Sequence, residues 1–380
     1  MKFLHTADLH IGKKIYEQSL LEDQAYILDR IYETALAEQV EAVVIAGDIY
    51  DRAIPSAEAV ALLDEFLTKL IEKRIPVIAV SGNHDSPERV SFAGRILEKQ
   101  GLHITGSTGE TLKTVILEDS CGTVAFVCMP FVRPAVVGAA TSAQAVEELL
   151  GRHPMPLDMH RRNVLVTHFF VVGEKGEEPE LSESESDTQA GGLDGVPASL
   201  FQCFDYVALG HIHKPQHMGK GHAYYAGSPL KYSFSEARWD KSVNIVELGE
   251  PGDITVRKVP LTPLRDMRII RGRLAELMEP DRVASEGEGV KDYFQAVLTD
   301  TEELIDPMGT LRSAYPNVLC IEMEKNMDSQ TQEYTSRLAG QRKSTARLFG
   351  DFYEMLKGEP MDEKRREIVE ETAGEAAAEE

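Results

Sequence analysis

The sequence is short of cysteine, of long apolar runs and of positive charge, and each shortage removes a class of protein. Cys121, Cys128, Cys203 and Cys320 are the only cysteines, and no two of them form a C-x-x-C pair. Scattered single thiols argue against a zinc ribbon and against a disulfide framework, so buried, reduced thiols are expected. No uninterrupted apolar stretch reaches the roughly 18 residues that a membrane span needs. The opening "MKFLHTADLH" reads as a strand carrying polar groups and not as a signal peptide. A cytoplasmic protein without membrane attachment is expected. Lys and Arg number 40 against 63 Asp and Glu, a formal charge of -23, whereas a nucleic-acid-binding chain usually shows a basic balance or a basic face. Two segments carry about half of that charge: residues 174–187 hold seven acids against one lysine, and residues 359–380 hold nine acids against Lys364, Arg365 and Arg366. The remainder is still acidic, so a basic surface must be a local patch or come from a partner chain.

What is present is an alternation. Over the first 130 residues "KFLHTA", "EAVVIA" and "IPVIAVS" read as buried strands, while Glu17 to Glu38, Ser56 to Lys73 and Pro87 to Lys99 show helical spacing of apolar residues. That β-α-β-α-β order marks a largely parallel sheet covered by helices. Then "TLKTVILED" and "GTVAFVCMP" suggest a hairpin about Asp119 to Gly122, and "NVLVTHFF", "FDYVALGH", "HAYYAGS", "KSVNIVEL" and "DITVRKVP" supply further strands. A two-sheet α/β body to residue 260 follows. After "PLTPLRD" a second β-α-β-α-β run predicts a small domain, and near the end Leu348, Phe349, Phe352, Tyr353 and Leu356 fall on one helical face.

The chemistry sits at the strand ends. "TADLH" carries Asp8 and His10, "AGDIYD" Asp48 and Asp51, "SGNHD" Asn83 and His84, "LVTHFF" His168, and "LGHIH" His211 and His213. Side chains at the carboxyl ends of sheet strands converge on one crevice, so five segments are expected to build one site. Oxygen and imidazole donors without thiolate suit Mn2+, Fe2+ or Zn2+. Asp8, His10, Asp48, Asn83, His168, His211 and His213 are too many ligands for one ion and fit two ions sharing a carboxylate. Residues two apart on a strand stand roughly 6.5 Å apart and point the same way, so His211 and His213 can each serve a different ion of a pair ~3.5 to 4 Å apart. Gly47, Gly82 and Gly210 precede Asp48, Asn83 and His211 and let the loops crowd the ions. His84 is expected to act as general acid or charge stabiliser at the leaving oxygen, with the Asp51 carboxylate orienting it and favouring its charged form. His5 reads as core, and His217 and His222 as surface.

The ordered set D-x-H, G-D-x-x-D, G-N-H-D, H and G-H-x-H resembles the calcineurin-like metallophosphoesterase superfamily. "FLHTADLHIGK", "SGNHDSPER" and "YAGSPLKYSFSEARWDKSVNIVEL" are similar to its double-strand-break-repair nuclease branch. The resemblance implies a four-layer αββα two-sheet fold with a small α/β capping domain and C-terminal helices. Residues 1–260 would be the nuclease domain, 261–330 a cap over the DNA cleft, and 331–380 a tail that binds a partner ATPase through the Leu348 to Leu356 face. It implies a DNA nuclease, both double-strand exonuclease and single-strand or hairpin endonuclease, using Mn2+, with Mg2+, Fe2+ or Zn2+ as alternatives. One ion would be held by Asp8, His10, Asp48 and His213 and the other by Asp48, Asn83, His168 and His211, with His84 acting on the leaving group. It also implies an SMC-like ATPase partner and a homodimer within a heterotetramer, working at the nucleoid, with Ser56 to Lys73 and Pro87 to Lys99 as the dimer helices. Lys13, Lys14, Arg52, Arg89, Arg95 and Lys231 are candidate phosphate contacts. The alternative is a phosphomonoesterase or cyclic-nucleotide phosphodiesterase: "GDIYDR" is similar to the protein phosphatases, which however have G-N-H-E where this chain has "GNHD".

Overall fold

A computed structural model describes residues 1–153, 162–173, 177–186 and 195–324, with scattered positions from 350 to 369. Two compact units, 1–323 and 324–380, divide the chain.

In the first unit two six-stranded sheets carry the fold. One runs in the order Ile254–Pro260, Ser242–Leu248, Lys2–Thr6, Ala42–Ala46, Val77–Val80, Leu102–Thr105; its last four strands are parallel. The other runs Gln216–Met218, Ala223–Tyr225, Tyr206–Gly210, Arg162–His168, Gly122–Met129, Lys113–Asp119, again with a parallel centre. Central parallel strands are buried on both faces and so consist of near-continuous apolar residues, and alternate side chains go to opposite cores. Phe3, Val44 and Ile78 from one sheet meet Phe126, Val164 and Tyr206 from the other in a shared inner layer. On the outside of the first sheet, Leu4, Val43 and Val77 pack against the helices Leu21–Ala37 and Ala57–Glu72. Outside the second, Val127, Leu165 and Val207 pack against the helix Ser142–Arg152. The layers are therefore αββα.

Arg162 fastens the sheets at the end away from the strand tips. Its guanidinium, 2% exposed, makes a two-pronged bond to Asp119 at 2.9 and 2.6 Å and donates to Leu248 O at 3.1 Å. A charge so buried is tolerated only because its donors are met.

Three local expectations differ. The Glu17 to Glu38 helix starts at Leu21, because Lys14–Ile15 and Gln18–Ser19 form a small hairpin before it. The Pro87 to Lys99 segment is not one helix. Ala93 adopts the left-handed conformation, φ 58°, splitting it into Pro87–Val90 and Gly94–Leu97. Nor are all thiols buried: Cys128 is, whereas Cys121 and Cys203 are exposed and Cys320 is half-buried.

Met267–Gly272, Tyr293–Leu298 and Val318–Met323 form a parallel three-stranded sheet with its own core of Ile270, Phe294, Leu311 and Tyr315. Buried Asp23 on the Leu21–Ala37 helix joins it to the body, accepting bonds from Arg265 at 3.0 and 2.8 Å and from the Tyr293 hydroxyl at 2.8 Å. In the second unit the Arg365 guanidinium donates to the Tyr353 hydroxyl at 2.6 Å. Leu348, Phe349, Phe352 and Leu356 lie outside the described residues. Among the described residues no helix is long and apolar enough to cross a membrane.

Candidate metal centre

The carboxyl ends of the Lys2–Thr6, Ala42–Ala46, Val77–Val80, Arg162–His168 and Tyr206–Gly210 strands each deliver part of one cluster. The backbone there is bent in ways that chains usually avoid. Asp8, His10, Asp48 and His211 have φ of 52°, 43°, 46° and 104°. Each such residue costs about 1–2 kcal/mol, and strain of this kind concentrates at working sites. Three glycines allow the close approach, Gly47 among them, where a Cβ would lie 2.2 Å from His168 Nδ1. A Cβ on Gly82 would lie 2.1 Å from Asp48 Oδ1, and one on Gly210 would lie 1.8 Å from Ala46 O.

Asp48 stands in the middle. Its Oδ2 is 3.3 Å from His168 Nε2 on one side and 3.6 Å from His10 Nε2 on the other. On the His168 side, Asn83 Oδ1 lies 3.0 Å from both His168 Nε2 and His211 Nδ1. On the His10 side, His10 Nε2 is 3.2 Å from His213 Nε2, and Asp8 completes the group. His211 and His213 thus face opposite halves of the cluster, although both lie past the end of the Tyr206–Gly210 strand and His211 has a φ of 104°, so an extended-strand spacing is not what places them.

The electrostatics suit cations. Burial opposes the charged form of His168, but Asp48 outweighs it and raises the pKa to about 9. Burial drops His211 to about 3 and His10 well below its usual range. Burial likewise lifts Asp8 to about 7. Asp8 Oδ2 and His10 Nδ1 are buried without a hydrogen-bond partner among the described residues, although buried polar atoms are nearly always paired. Carboxylate, amide oxygen and imidazole converging this way make a hard-to-borderline donor set. The residues fit divalent cations.

His84 is part-buried at the rim, its Nε2 4.0 Å from Asp48 Oδ2. Its orientation corrects one expectation. Nδ1 bonds to the main-chain carbonyl of Asp51 at 2.9 Å, not to that residue's carboxylate. The carboxylate instead accepts from Lys13 Nζ at 2.8 Å, because the turn after the Ala42–Ala46 strand brings the backbone and not the side chain against the ring. A carbonyl only accepts, so Nδ1 carries hydrogen and Nε2 faces the site. Asp85, given no role by the sequence, staples the two loops: its carboxylate accepts from the amides of Ile49, Tyr50 and Gly82 at 3.0, 2.9 and 2.9 Å.

The cationic candidates separate. Lys14 and Arg52 line a groove beside Asp51 together with Tyr16 and Ile54, and the Arg52 side chain is 80% exposed. Lys13 is tied to Asp51. Lys231 is a correction: its Nζ pairs with Asp266 at 2.8 Å and Ala237 O at 2.9 Å and its side chain is 12% exposed, so it braces the small sheet. Arg89 is exposed and borders an apolar hollow with Val60, Leu63 and Phe92; Arg95 is exposed on the next short helix.

Sequence reasoning missed what stands behind His213. Buried Glu236 and Lys241, with Ser184 and Glu185, surround its ring, amide and carbonyl. The signal available was weak, a glutamate and a lysine inside the strand-poor "YSFSEARWDK".

The calcineurin-like phosphoesterase family matches residues 1–215. A second family, described as a Type 5 capsule protein repressor C-terminal domain, matches residues 263–356. The chain is 32% identical over 378 residues to the D subunit of the nuclease SbcCD from Staphylococcus saprophyticus, covering 97% of each. It is 32% identical to the protein of the same name from Staphylococcus epidermidis, covering 94% of this chain and 93% of that one. A dimetal phosphatase structure from Danio rerio matches 69% of this chain and 99% of its own at a TM-score of 0.39 and 14% identity, too distant to bear on the site. With its strand tips gathered round Asp48 and this likeness running end to end, the chain belongs to the calcineurin-like phosphoesterase family and, within it, to the nuclease subunits of the SbcCD type.

Proposed function

We propose that the chain is the metal-dependent nuclease subunit of a DNA-processing complex, hydrolysing phosphodiester bonds at two divalent cations, with Mn2+ the native pair. The observation that supports this best is the central position of Asp48 between two donor groups. Asp8, His10, Asp48 and His213 would hold one ion, and Asp48, Asn83, His168 and His211 the other. Two cations held there would lower the pKa of a bound water toward neutrality and neutralise phosphoryl charge. His84 presents Nε2 to the leaving oxygen and, when doubly protonated, passes it a proton. Its Nδ1 stays on the Asp51 carbonyl, which keeps the ring from turning. Asp51 acts through its main chain, while its carboxylate holds Lys13 near the mouth.

Lys14 and Arg52 take the DNA backbone. Residues 261–330 cap the cleft, and residues 331–380 bind an SMC-like ATPase of the SbcC kind. The working unit is a homodimer in a heterotetramer, paired through Ser56 to Lys73 and the broken Pro87 to Lys99 segment, in the cytoplasm at the nucleoid. Duplex DNA ends, single strands and hairpins are its substrates.

The test uses the full chain with its ATPase subunit and Mn2+, offered linear duplex, hairpin DNA, a phosphomonoester and a cyclic nucleotide. Degradation of DNA alone is expected. Turnover of the phosphomonoester or cyclic nucleotide with DNA left intact would contradict the reading.

A further inference from the structure

Behind His213, on the side away from Asp48, Glu236 and Lys241 form an ion pair of 2.5 Å with side chains 0% and 3% exposed. Burying two opposite charges costs several kcal/mol per ion, and their attraction commonly does no more than offset it. Stability alone is a poor reason for such a pair. Its remaining bonds show another. Lys241 Nζ donates to His213 O at 2.9 Å and to Ser228 Oγ at 2.8 Å. Glu236 Oε1 accepts from Ser184 Oγ at 2.8 Å and from the Tyr232 amide at 3.3 Å, and lies 3.3 Å from His213 Nδ1. Ser184 Oγ is itself 2.9 Å from that nitrogen.

Counting hydrogens fixes the ring. A carboxylate paired with a lysine only accepts, so Ser184 must give Glu236 its one hydroxyl hydrogen. Ser184 can then only accept, from Ser182 Oγ at 2.6 Å and from His213, and with the Glu236 carboxylate also 3.3 Å away Nδ1 is the nitrogen that carries hydrogen. The Nε2 lone pair is left to face His10 Nε2 at 3.2 Å, inside the cluster where the proposed ion would sit.

We propose that Glu236, ionised against Lys241 and relayed through Ser184, is a positioning residue that locks His213 with hydrogen on Nδ1 and Nε2 turned to the metal. The inference rests on His213 being a ligand, as proposed above. Partners of this kind behind a metal-binding histidine fix its tautomer, raise its basicity and are typically worth 10–100-fold in metal affinity.

Two measurements on the full chain decide it. Ring 15N NMR of the Zn2+-loaded wild type, with His213 assigned by its loss in His213→Gln, should show a protonated Nδ1 and a metal-shifted Nε2; coordination through Nδ1 would overturn the lock. In Mn2+ titrations, Glu236→Leu combined with Lys241→Met, which leaves neither charge stranded, should weaken one ion by about 10–100-fold and leave the other unchanged. Glu236→Gln with Lys241→Met keeps an acceptor oxygen and should recover most of that loss. Wild-type affinity for both ions in the Leu/Met variant would overturn the proposal, and if that variant fails to fold the wild-type spectrum still decides. His213→Ala separates the two claims: if it keeps both ions, His213 is no ligand; if it loses one while the Leu/Met variant loses none, only the lock is wrong.

Discussion

The two halves of the centre present a histidine in the same way but hold it by different means. His168 is steadied by main chain, its Nδ1 donating to Ala46 O at 2.8 Å across the two sheets. His213 is steadied by side chains, through Ser184 and a buried Glu236–Lys241 pair. Each carbonyl or carboxylate only accepts, so each ring carries hydrogen on Nδ1 and turns Nε2 inward. The first half inherits its geometry from the packing of one sheet on the other, whereas the second depends on a polar network that one substitution can dismantle. The difference teaches that a histidine at a strand end is not enough to make a ligand: what stands behind the ring decides which nitrogen is offered.

Breaking the element that both halves share should have the largest effect. Asp48→Ala is expected to drop DNA cleavage to background and to remove bound metal from both halves, measured by elemental analysis of the purified chain. Retention of full metal content would show that the halves do not meet at Asp48. Next in size is His84→Gln, which should slow cleavage by about 10²–10⁴-fold with metal content intact; loss of metal would make His84 a ligand.

The halves should also separate by pH. In the metal-free protein His168 stays protonated until about pH 9 and Asp8 until about pH 7. A cation must displace those protons, so affinity rises with pH and falls as pH drops below each value, by about tenfold per unit for each proton displaced. The Asn83–His168–His211 half should therefore keep gaining affinity up to about pH 9. Calorimetry in buffers of different ionisation enthalpy measures the released protons, and binding without proton release at about pH 8 would contradict this. The smallest effects concern the groove. Arg52→Ala should weaken DNA binding severalfold, whereas Lys231→Ala, already paired with Asp266, should leave it unchanged in a salt-controlled binding assay.

Much of the centre was legible because its donors lie next to the strands that carry them. Apolar runs ending in D-x-H, G-D, G-N-H and G-H-x-H locate strand tips, and the parallel order of those strands brings the tips together. The same locality explains the failures. Whether Asp51 meets His84 by carboxylate or carbonyl depends on a turn conformation that residue spacing does not encode. Lys231 looked like a free cation because Asp266, its partner, is remote in the chain. The break at Ala93 is marked only by Gly94 after it, and an isolated glycine inside a helical pattern is often tolerated, so the apolar spacing from Pro87 to Lys99 resembled one helix. Glu236 and Lys241 reach His213 from 23 and 28 residues away, and Ser184 reaches it from 29 residues before it, in a segment that stood out only for its acidic charge.

The central claim is that Asp48 bridges two cations, one served by His168 and the other by His213. Anomalous diffraction from crystals of the protein grown with Mn2+ tests it most directly. Two peaks about 3.5–4 Å apart, with Asp48 bonded to both, His168 to one and His213 to the other, are predicted. A single peak, or two peaks on the same side of Asp48, would contradict the account.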